Sequence, residues 1–149
     1  KGWHLDTSTT TQVPPVSDKI DKFLKIGREA VESAIKQALP GNSIYQVSQA
    51  MQEIVEEAGY SVIRDLTGHG VGKRLHEEPS IPCYADPRTK NTIIKPGQAL
   101  AVEVMYTMGD YHLKTGADGW TLYTVDGSLT GMFEESVFVT ETGYLVLTK

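Results

Sequence analysis

A histidine enclosed by glycines constrains this chain more than any other feature of its sequence. Residues 68–72 read Gly-His-Gly-Val-Gly, so His69 has a residue without a Cβ atom on each side. Glycine permits positive φ and adds no side-chain bulk, so the backbone and the imidazole can come close to a ligand. The run therefore predicts a binding site around His69.

Carboxylates in strand-like surroundings give this site its chemistry. Glu103 interrupts the apolar run at residues 100–105, where an acidic group must be paired, protonated or bound to a metal ion. Glu134 and Glu135 are adjacent, and because strand side chains alternate, at most one of them faces the site. One histidine with several carboxylates is a donor set for Mn, Fe(II), Co or Zn, and it does not resemble the thiolate ligands of a structural zinc site. We therefore expect the chemistry to be hydrolysis.

The remaining histidines and the cysteine carry less information. His76 follows His69 by seven positions and precedes Glu-Glu-Pro, and the two histidines together favour a site more than either does alone. His4 and His112 have no comparable context and receive no role. Cys83 is the single cysteine, which rules out an internal disulfide and predicts an inert thiol in a reducing compartment.

The hydrophobic pattern predicts one α+β domain with a mostly antiparallel sheet. A first strand is predicted over residues 2–13 with Asp6 inside it, and a helix follows Ser17 and is broken at Pro40. A second helix follows Ser43 and ends at Gly59. Further strands, separated by turn signals, are predicted at 61–64, 99–107, 120–125, 132–140 and 144–147.

Charge and hydropathy exclude two classes of partner. The net charge of -5 argues against nucleic-acid binding, which needs clustered Lys and Arg. No apolar run reaches the roughly 18 residues of a membrane span, so we expect a cytoplasmic protein with no membrane partner. Since the chain begins with Lys1 and not with methionine, we also expect that upstream sequence is missing.

Several short motifs resemble those of the type I methionine aminopeptidases and follow one another in that family's order. They lie at residues 67–72, 75–82, 95–97, 118–121, 126–129 and 133–140, with Asp-Thr-Ser at 6–8. The resemblance implies the pita-bread fold, whose curved antiparallel sheet is covered by helices. It also implies that residues 1–149 form the C-terminal portion of a single metallopeptidase catalytic domain. The absent N-terminal part would hold a further metal-binding aspartate, so we expect low or no activity from this chain alone.

The function implied by the resemblance is removal of the initiator methionine from nascent proteins and peptides. The reaction would be two-metal-assisted amide hydrolysis with two divalent ions, Co, Mn, Fe(II) or Zn. The implied partners are peptides and nascent chains with an N-terminal methionine, close to the ribosome. The full-length protein would be a monomer.

The resemblance also assigns roles to individual residues. The implied metal ligands are Asp6, His69, Glu103 and Glu134. Glu103 would also move a proton to the leaving amine, and His76 would contact the substrate amide. Leu75 and Trp120 match residues that line the methionine pocket, although an aromatic residue is commoner at position 75. Val104 stands where the family usually has proline, and Glu135 stands where it often has histidine.

Two other functions stay open. An Xaa-Pro aminopeptidase or prolidase would use a similar ligand set on the same fold. Those enzymes resemble one another in an Arg-Ile-Glu-Asp type motif, whereas this chain has Asp-Gly-Trp-Thr at 118–121 and Asp-Gly-Ser-Leu at 126–129. A metal-deficient, non-catalytic pita-bread binding module is the third alternative, and the four retained ligands argue against it.

Overall fold

The computed structural model describes residues 2–148 as two helices, nine strands and one short 3₁₀ helix. Their bounds in chain order are β1 Ser8–Thr9, α1 Asp18–Lys36, α2 Ile44–Glu57, β2 Ser61–Val62, β3 Thr67–Gly70, β4 Glu77–Pro82, the 3₁₀ helix Pro87–Thr89, β5 Ala99–Thr107, β6 Leu113–Thr115, β7 Leu122–Thr124, β8 Thr130–Val139 and β9 Tyr144–Val146. The predicted α+β class is confirmed.

The long strands β5 and β8 form the centre of the main sheet. They pair antiparallel over the whole of β5, from Ala99 opposite Phe138 to Thr107 opposite Thr130. The sheet order is β1-β8-β5-β3-β4, with β2 on β5 and β9 on β8, while β6 and β7 form a separate hairpin. Every described strand pair is antiparallel. Residues distant in sequence therefore meet on neighbouring strands around β5.

Both helices bury one apolar stripe, as their sequence spacing predicts. The buried residues of α1 are Phe23, Leu24, Gly27, Ala30, Val31, Ala34 and Ile35. The start of α2 agrees with the predicted cap, because the Ser43 backbone N–H donates to the Gln46 side chain at 2.8 Å. Gly59 follows the end of this helix with a positive φ of 82°. Neither described helix combines the length and the apolar character that crossing a bilayer demands.

The first helix lies against β5 and β8 at Gly27. A Cβ atom at this position would lie 2.4 Å from the hydroxyl oxygen of Tyr106 and 2.5 Å from a ring carbon of Phe133. The Tyr106 hydroxyl donates to the Phe23 carbonyl oxygen at 2.6 Å, which ties the helix to the sheet. This tight packing fixes the back of the sheet whose other side chains form the site described below.

The structure corrects the prediction of a strand over residues 2–13. Only Ser8 and Thr9 form strand pairs, with Glu134 and Phe133 of β8, so Asp6 lies just before β1. For residues 3–5 the reason is competition, because β9 pairs with β8 at residues 137–139, the positions that this register would place opposite them. The sequence also gave no signal for β3, β4 and β6, where glycine, proline and short length weaken the strand pattern.

Candidate metal centre

Three neighbouring strands and the segment before β1 bring the four predicted ligands together. Glu103 of β5 lies directly opposite Glu134 of β8. His69 of β3 lies opposite Ala101, two positions before Glu103 and therefore on the same face of β5. Asp6 reaches this face from the other side of β8, where β1 pairs.

The ligand atoms converge on the imidazole of His69. Its Nε2 atom is 3.8 Å from Oε1 of Glu103 and 4.0 Å from Oδ2 of Asp6. One ligand atom each from Asp6, His69 and Glu134 lie within 4.8 Å of one another. The side chains of His69 and Glu103 are 10% and 7% exposed, against 35% for Asp6, so the cluster opens toward solvent beside Asp6.

A backbone contact sets the tautomer of His69. Its Nδ1 atom lies 2.8 Å from the carbonyl oxygen of Gly70. A carbonyl oxygen only accepts, so Nδ1 carries a proton and Nε2 is the nitrogen that faces the carboxylates. A neutral imidazole held in this way is the form that binds a divalent metal.

The glycines beside His69 act through their lack of a Cβ atom. At Gly70 a Cβ would lie 2.1 Å from the carbonyl oxygen of Glu78, and at Gly68 it would lie 2.6 Å from that of Ala101. Neither glycine has a positive φ. The sequence argument was therefore correct about bulk and wrong about left-handed backbone, because close contact between strands is what requires glycine here.

Burial and mutual repulsion hold protons on two of the carboxylates in the metal-free chain. Burial, followed by the charges of Glu134 and Asp6, raises the pKa of Glu103 to about 8. Burial, followed by the charges of Asp6 and Glu135, raises the pKa of Glu134 to about 7. No described lysine or arginine forms an ion pair with either group. A bound cation would supply the missing positive charge and displace these protons.

The raised pKa values lead to a prediction about pH. Between about pH 4.5 and 8 the folded chain holds more protons than the unfolded chain, so without metal its free energy of unfolding should fall as pH rises. Mn(II) affinity should instead rise with pH, because protons compete for the carboxylates. We expect it to be about tenfold or more weaker at pH 6 than at pH 8.5. Urea unfolding and calorimetric Mn(II) titration across this range measure both effects. Mn(II) affinity that does not change with pH would contradict the assignment.

The other predicted site residues lie on loops. His76 contacts His69 edge-to-face, with ring centroids 4.3 Å apart, and Leu75 next to it is 41% exposed. Trp120 is 87% exposed and lies in the turn before β7. It borders a cavity of about 560 Å³ that is lined otherwise by Thr115, Gly119, Thr121 and Leu122. The structure thus brings His76 to the cluster and places Trp120 on a separate hairpin.

Two residues near the cluster were not identified from the sequence. Ser136 is fully buried, and its hydroxyl contacts the backbone of Asp6. The Cys83 thiol lies 3.6 Å from the carbonyl oxygen of Glu103 and 3.4 Å from the backbone nitrogen of Met105. Burial raises the pKa of this thiol to about 12, so it stays protonated and unreactive. Neither contact has a local sequence signal, because the partners are 130 and 20 residues apart.

Comparisons with known proteins show the family and the fold of the chain. The sequence profile described as metallopeptidase family M24 matches residues 1–141. Methionine aminopeptidase 1 of Bacillus subtilis is 41% identical over 148 residues, which is 99% of this chain and 59% of that protein. The crystal structure of methionine aminopeptidase from Thermotoga maritima has 41% identity and a TM-score of 0.94, covering 100% of this chain and 59% of its own. Prolidase from Pyrococcus furiosus has 26% identity and a TM-score of 0.74, over 99% of this chain and 38% of that chain.

Proposed function

This chain belongs to metallopeptidase family M24, and we propose that the protein carrying it is a methionyl aminopeptidase with the pita-bread fold. It would remove the N-terminal initiator methionine from nascent proteins and peptides by two-metal-assisted amide hydrolysis. The chain spans 59% of the length of the methionine aminopeptidases described above, so the activity of the whole protein is a proposal. Divalent metal use follows from the family, whereas the identity and the number of the ions are part of the proposal.

The observation that carries the proposal is a cluster of carboxylates with which no lysine or arginine of residues 2–148 forms an ion pair. Asp6, Glu103 and Glu134 lie around His69 Nε2, and two of the three carboxylates are almost fully buried. Buried carboxylates need a positive partner, and the donor set of three oxygens and one imidazole nitrogen suits Co, Mn, Fe(II) or Zn. The residues present therefore fit the metal that the family implies.

Each residue of the cluster has a proposed task. The bound ions would polarise the scissile carbonyl and activate water. Glu103 would hold a metal ion and move a proton to the leaving amine, for which a carboxylate beside the scissile bond is suited. His76 lies on a loop against the edge of His69, where it would donate a hydrogen bond to the substrate amide as negative charge develops on its oxygen.

The substrate side chain would lie against the exposed apolar residues Leu75 and Trp120. Apolar contacts favour the flexible, unbranched thioether of methionine. With nascent chains as substrates, the protein would act in the cytoplasm close to the ribosome. We propose that it does so as a monomer.

A proline-specific peptidase is the competing enzyme class on this fold. Prolidase from Pyrococcus furiosus shares the fold, yet both its identity and its TM-score are lower than those of the methionine aminopeptidase from Thermotoga maritima. The segments at 118–121 and 126–129 also lack the motif expected of the proline-specific enzymes. We therefore favour methionine over Xaa-Pro specificity.

A substrate comparison tests the proposed function. The protein supplied with Mn(II) or Co(II) is incubated with a Met-Gly-type tripeptide, with the same peptide beginning in alanine, and with an Xaa-Pro dipeptide. We expect free methionine from the first peptide and no cleavage of the other two, with the activity lost in a chelator. Cleavage of the Xaa-Pro dipeptide in preference to the Met-Gly peptide would contradict the proposal.

A further inference from the structure

We propose that Ser136 is a positioning residue whose buried hydroxyl fixes the backbone of Asp6, so that the aspartate can bind metal. The inference rests on the proposed function, because it deepens the account of the same metal centre. The Ser136 hydroxyl accepts a hydrogen bond from the Asp6 backbone N–H at 2.9 Å and donates one to the Asp6 carbonyl oxygen at 2.7 Å. We call this pair of bonds the hydroxyl clamp.

The strand register explains why a side chain is needed there. Ser8 pairs with Glu134 and Thr9 with Phe133, so continuing the same register places Asp6 opposite Ser136. In a regular antiparallel pair of strands, the backbone N–H and carbonyl groups of opposite residues bond to each other directly at every second position. At Asp6 the ladder has ended, and the serine hydroxyl makes both bonds in its place.

The backbone of Ser136 is already occupied by the end of the chain. Its N–H donates to Oγ1 of Thr148 at 3.0 Å, and its carbonyl oxygen accepts from the Leu147 N–H at 2.8 Å. The pairing of β9 with β8, which includes Val137 opposite Val146, thus extends to the position opposite Asp6. Two segments compete for one edge of β8, and the hydroxyl clamp lets the second one stay attached.

The hydroxyl clamp holds the backbone of Asp6, whereas the Asp6 side chain has contacts of its own. Its Oδ1 accepts a hydrogen bond from the Thr7 N–H at 3.0 Å, while Oδ2 lies 4.0 Å from His69 Nε2. The neighbouring Thr7 hydroxyl donates to the Glu134 carbonyl oxygen at 2.9 Å, so contacts to β8 hold both residues. A fixed backbone reduces the entropy that ordering the Asp6 carboxylate would cost on metal binding.

Loss of the clamp should loosen the aspartate without unfolding the chain. Residues 2–5 and Thr7 are exposed, and Asp6 is only partly buried, so water can replace the two lost hydrogen bonds. The central pairing of β5 with β8 does not involve the Ser136 hydroxyl. The expected change therefore concerns metal affinity more than global stability.

Ser48 provides a matched control. It lies on α2 and is also fully buried, but its hydroxyl has no hydrogen-bond partner among residues 2–148. Replacing it with alanine removes the same atom from an equally buried position. A general effect of losing a buried hydroxyl would appear in both alanine variants, whereas a positioning effect would appear only at Ser136.

The test is calorimetric titration with Mn(II) alone, on variants first shown to be folded by circular dichroism. Ser136→Ala should bind Mn(II) about 10- to 100-fold more weakly than the unchanged protein, the range expected when a ligand loses its outer support. Ser136→Thr, which keeps the hydroxyl, should restore most of the affinity, and Ser48→Ala should not change it. In an Asp6→Ala background, Ser136→Ala should cause no further loss, because the clamp acts through Asp6.

Several outcomes would overturn the proposal. Unchanged affinity in Ser136→Ala would show that the hydroxyl does not position a ligand, and an equal loss in the Asp6→Ala background would show that it acts elsewhere. If Ser136→Ala does not fold, Ser136→Cys, which makes weaker hydrogen bonds at similar volume, decides by the same criteria. Failure of both the unchanged protein and Ser48→Ala to bind Mn(II) would instead refute the metal centre, and the clamp with it.

Discussion

His69→Ala is expected to abolish measurable Mn(II) and Co(II) binding, with a loss of affinity of more than about 100-fold. The variant removes the one imidazole donor, whose Nε2 atom lies within 4.0 Å of the Asp6 and Glu103 carboxylates. Three carboxylates would remain, and they suit hard cations better than these metals. The loss should therefore exceed the 10- to 100-fold typical of changes outside the ligand set.

A second histidine provides the control for this experiment. His112 is exposed and pairs with Asp110 through its Nδ1 atom at 2.6 Å, on the loop before β6. His112→Ala should bind Mn(II) as the unchanged protein does. If His69→Ala also binds both ions normally, the ligand assignment is wrong.

The core of the site could be predicted because its signals are local. Glu103 stands out in an apolar strand, and the predicted strand over 99–107 agrees with β5. The prediction that only one of Glu134 and Glu135 faces the site follows from strand alternation alone. Glu134 is 3% exposed and lies opposite Glu103, so the arrangement agrees with that reasoning.

The contacts that hold the ligand residues in place could not be predicted, because they join segments that are distant in the sequence. Asp6 and Ser136 are 130 positions apart, and nothing near either residue indicates that they meet. Local propensity favours a strand over residues 2–13, but β9 pairs with the part of β8 that residues 3–5 would need. Similarly, the need for glycine at position 70 comes from a carbonyl group of β4, a strand that the sequence pattern did not reveal.

The repulsion within the cluster follows from this architecture. Pairing β5 with β8 places two glutamates opposite each other, and like charges at such a position are unfavourable. The raised pKa values of Glu103 and Glu134 show that the fold tolerates the pair by protonation when no metal is bound. A bound cation would replace these protons and offset the repulsion between the two carboxylates.

Made in the full-length protein, Glu103→Gln and His76→Ala should separate metal binding from transition-state stabilisation, although both residues lie beside His69. Glu103→Gln keeps the side-chain volume but replaces a buried anionic ligand with a neutral amide, so Mn(II) affinity and methionine release should fall together. Saturating Mn(II) should not restore the rate, because the variant also lacks the proposed proton carrier.

His76→Ala should behave differently because His76 contacts the cluster through its edge-to-face packing on His69. Mn(II) affinity should be unchanged, while kcat on a Met-Gly-type peptide falls by about 100-fold, as expected when one hydrogen bond to a developing oxyanion is lost. KM should change little, since that bond strengthens only in the transition state. Equal loss of Mn(II) affinity in both variants would identify His76 as a ligand, and an unchanged kcat in His76→Ala would remove its proposed role. The contrast is informative because the rings of His69 and His76 are in contact, while the described carboxylate contacts at 3.8 and 4.0 Å are made by His69 Nε2.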